Sequence, residues 1–324
     1  MRTFVSFSTT GGPDVLELST GPIPGAGPGT LLVEVRAAGL NYIDTYHRVG
    51  LYPVDLPYTP GLDGSGVIVA IGDGVDGFEI GDRVVWPSEP GSYTSHHVVK
   101  ANRAIAVPDG VSFAAATAAM VAGLTAHYLA KDTFVLEPGH TCLIHAGAGG
   151  VGLLLTQIAR MAGASVVTTV STEEKEALSR EAGADHVIRY TETDFALAAR
   201  ELMSVDRPFD VIYDSVGATT FLTGLELIKA CGTMVLFGQS SGPVEPFNPG
   251  LLAQNGSLFL TRPTLFNHIA ADQDLRRRAD DVLGWIRDGK LHVRVGAEFP
   301  LADAARAHTA LEGRQTTGKV VLVP

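Results

Sequence analysis

His145-Ala-Gly-Ala-Gly-Gly-Val-Gly152 decides the reading of this chain. Thr141 to Ala146 before it is a short apolar run and reads as a buried strand. Val151 to Met161 after it has helical periodicity and is closed by Gly163. Gly147, Gly149 and Gly152 fill the three slots of G-x-G-x-x-G. The three slots serve a tight turn, close backbone approach to a pyrophosphate, and close packing of helix on strand. The helix N-terminus adds unpaired N–H groups and the positive end of its dipole. A strand, a glycine loop and a helix in that order predict dinucleotide binding rather than a plain tight turn.

Around this loop the chain alternates strand and helix. Strands are expected at Thr141–Ala146, Ser165–Val170, His186–Tyr190, Phe209–Asp214, Thr233–Gly238 and Leu258–Arg262, with helices at 150–162, 173–182, 194–204 and 218–230. Gly163, Gly183 and Gly232 stand where C-terminal caps belong. Six strands with helical crossovers predict an α/β fold with a doubly wound parallel sheet of Rossmann type.

The sequence before residue 120 has a different texture. Short alternating runs at Phe4–Phe7, Leu31–Ala37, Gly66–Ile71, Arg83–Val85 and Tyr93–Val99 are separated by Gly/Pro clusters and predict strands. Asn41–Val49 reads as one or two helical turns, and the Ala-rich Phe113–Ala130 as helix. The tail has helices at Leu275–Asp288 and Ala302–Leu311 and strands at Val293–Phe299 and Lys319–Val323. Its simplest course returns to the β-rich half. Two domains are therefore expected, as the 324-residue length suggests at roughly 150 residues each. A β-rich domain of residues 1–121 with 265–324 would receive a dinucleotide domain of residues 122–264, leaving a cleft between them for ligand.

A net charge of −11 with no basic stripe argues against nucleic acid and anionic membranes as partners. Arg276-Arg277-Arg278 reads as one turn of a solvated helix. No uninterrupted 18-residue apolar run and no signal peptide are evident, so a cytoplasmic protein is expected. Cys142 and Cys231 lie in apolar sequence and read as packed thiols. Metal chemistry lacks its pattern: there is no C-x-x-C, His96 and His97 face opposite sides of a strand, and His47, Asp63 and His127 are scattered. No G-x-S-x-G marks a serine hydrolase.

The end of the second strand selects the dinucleotide. NAD-preferring sites place an acid there for the ribose 2′-OH. This chain has Ser171 and Thr172, then Glu173, Glu174 and Lys175. Lys175 can reach a 2′-phosphate, which favours NADPH over NADH, with Glu173 as the alternative acid. Ser171-Thr-Glu-Glu174 is also a capping box led by Ser171.

Nine motifs in order carry a family resemblance: Ala38-Gly-Leu-Asn-Tyr-Ile-Asp44, Pro60-Gly-Leu-Asp-Gly-Ser-Gly66, Gly81-Asp-Arg-Val84, Gly123-Leu-Thr-Ala126, His145 to Gly152, Asp214-Ser-Val-Gly217, Phe237-Gly-Gln-Ser-Ser-Gly242, Arg262-Pro-Thr-Leu265 and Thr316-Thr-Gly-Lys319. Over its full length the chain resembles the medium-chain dehydrogenase/reductases, and among them the zinc-independent quinone oxidoreductases related to zeta-crystallin. The resemblance implies a GroES-like catalytic domain beside the Rossmann domain. In zinc-dependent relatives a cysteine ligand stands at the position of Asn41, and Gly-His-Glu stands where this chain has Gly61-Leu-Asp63. Within the quinone oxidoreductases Asp63 replaces a common Glu.

The resemblance further implies that Gly149, Gly150, Val151 and Gly152 hold the pyrophosphate. Ser171, Lys175 and Tyr190 would surround the 2′-phosphate, with Arg314 as a further phosphate contact. Asn41 and Thr125 would approach the nicotinamide, and Phe237, Gly238 and Ser240 would line the cofactor's other side. Tyr46 and Tyr52 would stand at the substrate mouth. Without zinc, negative charge on the acceptor oxygen must be stabilised by hydrogen bonds alone, from a tyrosine hydroxyl, the Asn41 amide, the ribose hydroxyls or water. Hydride transfer from NADPH to a quinone or related conjugated carbonyl is the expected reaction. The alternatives are an NADPH-dependent enone or enoyl-thioester reductase and a non-catalytic NADPH-binding protein. A homodimer is expected through the Leu258–Thr261 sheet edge, because an uncharged edge strand invites a second copy.

Overall fold

A computed structural model describes all residues from Met1 to Pro324. It divides into two compact units, one of Met1–Leu124 with Ile269–Pro324 and one of Thr125–His268.

The second unit is built on a six-stranded parallel sheet. Its strands stand in the order His186–Arg189, Ser165–Val170, Thr141–Ile144, Phe209–Asp214, Ile228–Leu236 and Phe259–Thr261. Numbered along the chain, this is 3-2-1-4-5-6, the doubly wound order. The central strands are near-continuous apolar runs because helices cover both faces of such a sheet. Leu143, Val167, Ile188, Ile212 and Met234 are all buried in one core. Each contributes about 1.5–3 kcal/mol by leaving water. The helix Gly150–Met161 buries Leu154, Leu155, Ile158 and Ala159. It ends where Gly163, at φ +81°, takes the left-handed turn that a side chain would resist.

The expected helix at 218–230 shrinks to Phe221–Leu225, because the next strand already begins at Ile228. Gly232 is not a helix cap. It lies in that strand, where a Cβ would come within 2.5 Å of Ile228 Cγ2 and 2.7 Å of the Asp210 carbonyl oxygen. A register shift between Phe209 and Val211 on the neighbouring strand accommodates the irregularity. Cys231, at φ +62°, turns out to solvent there, so it is exposed while Cys142 is buried.

The first unit is organised on the eleven-residue strand Thr30–Leu40. It pairs antiparallel with Asp63–Ile71, His96–Lys100 and Lys319–Val323. Arg83–Trp86, Ile105–Ala106 and Val295–Pro300 complete the sheet. Leu31, Val33, Val35, Ile68, Val84 and Trp86 form its core. Glu17–Gly21, which pairs with Arg2–Ser6, and the two-residue Ile105–Ala106 are strands the sequence pattern does not announce. Tyr42–Arg48 is the short helix expected after Asn41.

Two readings of the helices change. Asp272–Arg287 buries Leu275, Arg278, Ala279, Val282 and Leu283. Arg278 sits at i+3 from Leu275 on the inward stripe and is only 3% exposed, so the arginine run is not wholly solvated. The helical run Phe113–Thr133 does meet the length and composition of a membrane span, with a mean hydropathy of 1.4. Because 78% of that window is buried within the protein, it is accounted for as a core helix.

Candidate active site

The glycine loop lies at the C-terminal end of the first sheet strand, where the strand order reverses between Thr141–Ile144 and Phe209–Asp214. Ligands of doubly wound sheets bind at that switch point. Gly149 is the N-cap of the Gly150–Met161 helix; its carbonyl accepts the Leu153 N–H at 3.0 Å, and it has no side chain to cap the other N–H groups of the first turn. A Cβ on Gly152 would meet the Ala146 carbonyl oxygen at 2.3 Å and the Gly147 backbone at 2.9 Å. One on Gly147 would meet Thr168 Cβ at 2.5 Å. Side chains at either position would push helix, loop and strand apart. Gly149 meets only the Ala146 oxygen, at 3.2 Å. Gly149, Gly150 and Val151 are half-buried, so their backbone is reachable. These features suit a pyrophosphate lying on the helix N-terminus.

Neighbouring strand ends add the flanks. Pairing of Arg189 with Val170 brings the next residues, Tyr190 and Ser171, side by side. The Tyr190 N–H donates to the Val170 carbonyl at 3.1 Å, and Thr191 Oγ1 donates to the Ser171 carbonyl at 2.8 Å. The helix cap is Thr172, not Ser171: Thr172 Oγ1 accepts from the Lys175 N–H at 3.3 Å. Its extended backbone, at ψ 161°, is what a cap requires, and Ser171 remains outside the helix with its hydroxyl not committed to capping. Lys175 is half-buried in the first turn. On the other flank, Phe237 and Gly238 N–H donate to the Asp214 carbonyl at 2.8 and 3.3 Å. A Cβ on Gly238 would lie 2.6 Å from the Ser215 carbonyl oxygen. Ser240 N–H donates to that same oxygen at 3.1 Å. Thr125 is buried, at 8% exposure, in the helix Val121–Tyr128.

In the first unit, register alone assembles a buried polar cluster. Val320 opposes Leu40 and Asp63 opposes Gly39, so Lys319, Asn41 and Asp63 meet at three strand ends. Asn41 Nδ2 donates to Asp63 Oδ1 at 2.8 Å and to the Gly39 carbonyl at 3.4 Å. Lys319 Nζ donates to Asn41 Oδ1 and, at 3.1 Å, to Asp63 Oδ2. Asp63 Oδ2 also accepts the Val121 N–H at 3.1 Å. Asp63 is fully buried and Lys319 is 4% exposed. Gly39 makes room for the pair, since a Cβ there would lie 2.2 Å from Asp63 Oδ1 and 2.9 Å from Lys319 Cε. On sequence spacing Asp63 is one of several scattered polar residues. The fold instead gives it three partners.

A second chain of bonds continues from Asn41. Asp44 Oδ2 accepts the Asn41 N–H at 2.8 Å and the Tyr93 hydroxyl at 3.3 Å. Tyr93 Oη lies 3.2 Å from His308 Nε2, and His308 Nδ1 lies 3.0 Å from Arg48 Nη1. Arg48 has no acceptor, so Nδ1 accepts and the neutral ring carries its proton on Nε2. Arg48, 1% exposed, closes the chain with a two-pronged pair to Glu312 at 2.7 and 3.0 Å. Burial pushes Asp44 up to about 7, with Asp63 adding to the rise. Burial and then Arg48 push His308 down to about 3.

Tyr46 and Tyr52 make an edge-on pair with ring centroids 5.2 Å apart, and Tyr42 stands 5.7 Å from Tyr46. The Tyr52 N–H donates to the Tyr46 carbonyl at 3.2 Å, holding the loop against the helix. His47 is buried beside Tyr52 and Tyr58, and its Nδ1 has no hydrogen-bond partner. Arg314 is exposed in the tail at φ +57° and acts electrostatically on Tyr42.

Comparison with known proteins agrees with this geometry. Residues 27–135 match the alcohol dehydrogenase GroES-like domain, and residues 182–322 match the family described as zinc-binding dehydrogenase. The chain is 42% identical to a quinone oxidoreductase of Pseudomonas aeruginosa over 99% of both chains. It superposes on an NADPH complex of a mycobacterial protein with TM-score 0.95 and 44% identity, covering 99% of this chain and 100% of that one. Escherichia coli quinone oxidoreductase, also solved with NADPH, gives TM-score 0.96 and 38% identity over the same shares.

Zinc does not fit the residues present, despite the name of the second family. At the positions that carry metal ligands in zinc-dependent relatives, this chain offers an amide, an alkyl group and one carboxylate: Asn41, Leu62 and Asp63. The Lys319 ammonium already bonds Asn41 Oδ1 and Asp63 Oδ2, and Asp63 Oδ1 accepts from Asn41 Nδ2. No cluster of three His, Cys, Asp or Glu side chains is placed to hold an ion.

Proposed function

The chain belongs to the zinc-independent quinone oxidoreductases of the medium-chain dehydrogenase/reductase superfamily, and on that premise we propose that it reduces quinones and related conjugated carbonyls with NADPH. The observation that carries this reading is the cradle at Gly147, Gly149 and Gly152, flanked by a strand that ends in the neutral Ser171-Thr172 and by Lys175 in the next helical turn. Gly149, Gly150, Val151 and Gly152 bind the pyrophosphate through backbone N–H groups. Ser171, Lys175 and Tyr190 hold the 2′-phosphate, with Arg314 as an outer contact. Thr125, Phe237, Gly238 and Ser240 orient the nicotinamide half. When bound, NADPH supplies the hydride.

The chain itself orients the acceptor, excludes water and places hydrogen-bond donors at the oxygen that becomes negative. Tyr46 and Tyr52 offer hydroxyl groups and flat apolar faces for a planar acceptor. Asn41 has both amide hydrogens directed at Asp63 and Gly39, so its part is to set the shape of the site. Without a metal, charge stabilisation rests on hydrogen bonds. Acceptors that spread charge over a conjugated system are the ones that suit it.

We further assign the protein to the cytoplasm and to a homodimer. Phe259–Thr261 is the last strand of its sheet, and Phe259 is 64% exposed. An exposed aromatic on an unpaired edge favours pairing with a second copy. Gel filtration at twice the chain mass is expected, and a monomer removes this assignment. The function itself is tested by NADPH oxidation against 9,10-phenanthrenequinone, benzoquinone, an enone and an enoyl-CoA. Turnover of the quinones before the thioester is expected. Turnover of none refutes the reading.

A further inference from the structure

The disagreement between the family name and the residues at Asn41, Leu62 and Asp63 has a physical content. A buried cation is present at this place, and it is an ammonium. Lys319 bonds the two polar side chains that a metal would need, and the pair packs so closely on Gly39 that a Cβ there would lie 2.2 Å from Asp63 Oδ1 and 2.9 Å from Lys319 Cε. We propose that Lys319 is a positioning residue for the quinone reductase reaction, its ammonium serving as the fixed internal cation that holds the Asn41 amide and the start of the Tyr42–Arg48 helix. The proposal rests on the function assigned above.

The directionality of the bonds decides the geometry. An amide can be turned over to exchange its oxygen and nitrogen, and only its neighbours decide between the two settings. Here Lys319 can only donate and ionised Asp63 can only accept. Turning Asn41 over would set donor against donor and acceptor against acceptor. With Lys319 in place, one setting survives. Asn41 is also the residue from which the helix departs, with its N–H held by Asp44 Oδ2 at 2.8 Å. That helix carries Tyr46, against which Tyr52 packs. Lys319 thus touches neither tyrosine, yet fixes the residue that begins their scaffold. In a metal-dependent site the ion performs this holding and also polarises the substrate. An ammonium bonded to Asn41 Oδ1 and Asp63 Oδ2 supplies the holding function.

The test uses the full-length enzyme. Lys319→Met removes the charge at similar length, and the paired change Lys319→Met with Asp63→Leu removes both charges, so that no ion is left buried alone. Replacing a buried ion pair by apolar groups is commonly neutral for stability, which keeps the second variant folded. NADPH affinity is read by fluorescence titration, and kcat and KM by NADPH oxidation with 9,10-phenanthrenequinone. We expect both variants to bind NADPH within about twofold of the parent, since its cradle is in the other unit. Their kcat/KM for the quinone should fall about 100-fold, the scale on which small misplacements near a reacting centre act. Unchanged quinone kinetics in the folded double variant would mean that Lys319 positions nothing the reaction needs, and overturns the proposal. Stoichiometric zinc in the purified parent overturns it independently of any activity. A parent inactive on every quinone instead removes the functional reading, and the proposal with it.

Discussion

Replacing Gly152 by alanine is the sharpest perturbation of the dinucleotide cradle. The added Cβ would lie 2.3 Å from the Ala146 carbonyl oxygen and 2.9 Å from both the carbonyl carbon and Cα of Gly147. All three are backbone atoms, so no side chain can swing aside. Restoring an ordinary contact requires the loop and the helix N-terminus to separate by about 1 Å. Overpacking of this kind costs about 1–3 kcal/mol of stability. The same displacement draws N–H groups of the first helical turn away from the pyrophosphate. A hydrogen bond to a charged group contributes about 1.5–3 kcal/mol, so loss of one weakens NADPH binding by about 10- to 100-fold. Gly149→Ala is the built-in control, because its Cβ meets only one oxygen at 3.2 Å and needs a shift of a few tenths of an ångström. Titration of NADPH fluorescence on both variants, beside their urea midpoints, reads the two effects separately. If Gly152→Ala binds NADPH as tightly as the parent, or if Gly149→Ala is the weaker binder, the helix–loop packing does not form the phosphate site.

Lys175→Ala is expected to weaken NADPH binding about 10- to 100-fold while leaving NADH nearly unchanged, since a charged contact to the 2′-phosphate is all that distinguishes them. Equal losses for both cofactors would place the 2′-phosphate elsewhere. The Asp44 and His308 pair predicts an unusual acid response. Asp44, raised to about 7, favours the folded state below its ordinary 3.8 and loses that contribution as pH rises toward 7. His308, lowered to about 3, works in the opposite sense: its contribution is present above 6.5 and is lost as pH falls toward 3. Between pH 3.8 and 6.5 the two offset each other. Asp44→Asn leaves the histidine uncompensated, and its stability should fall with acid by about 1.4 kcal/mol per pH unit more steeply than the parent's. Chemical unfolding at pH 4, 5 and 6 checks this, and parallel curves would show that Asp44 is ionised in the fold at all three.

The glycine loop, the strand–helix alternation and the return of the tail were legible because each leaves a local mark. Periodicity, cap glycines and short apolar runs are properties of neighbouring residues. The neutral Ser171 and the following Lys175 were equally readable, although the cap falls on Thr172, a one-residue shift that only the backbone angles reveal. What stayed hidden depends on pairing between distant strands. Asn41 and Lys319 are 278 residues apart, and nothing in either motif predicts that Val320 opposes Leu40. Arg48, Tyr93, His308 and Glu312 assemble in the same way. A signal did exist for the cluster of Asn41, Asp63 and Lys319: Gly39 two residues before Asn41, and a lysine beginning an otherwise apolar strand. A lysine at such a position needs a buried partner, which the carboxylate of Asp63 provides. The early start of Ile228–Leu236 was masked because Gly232 resembles a helix cap until its contact with Asp210 is known.

The central claim is that this fold reduces a quinone with NADPH and needs no metal to do so. Its most direct test is the rate of NADPH oxidation by 9,10-phenanthrenequinone before and after exhaustive dialysis against a zinc chelator, with NADH run in parallel. The account predicts an unchanged rate after chelation and a marked preference for NADPH. Activity that disappears with the chelator and returns with added zinc would contradict it.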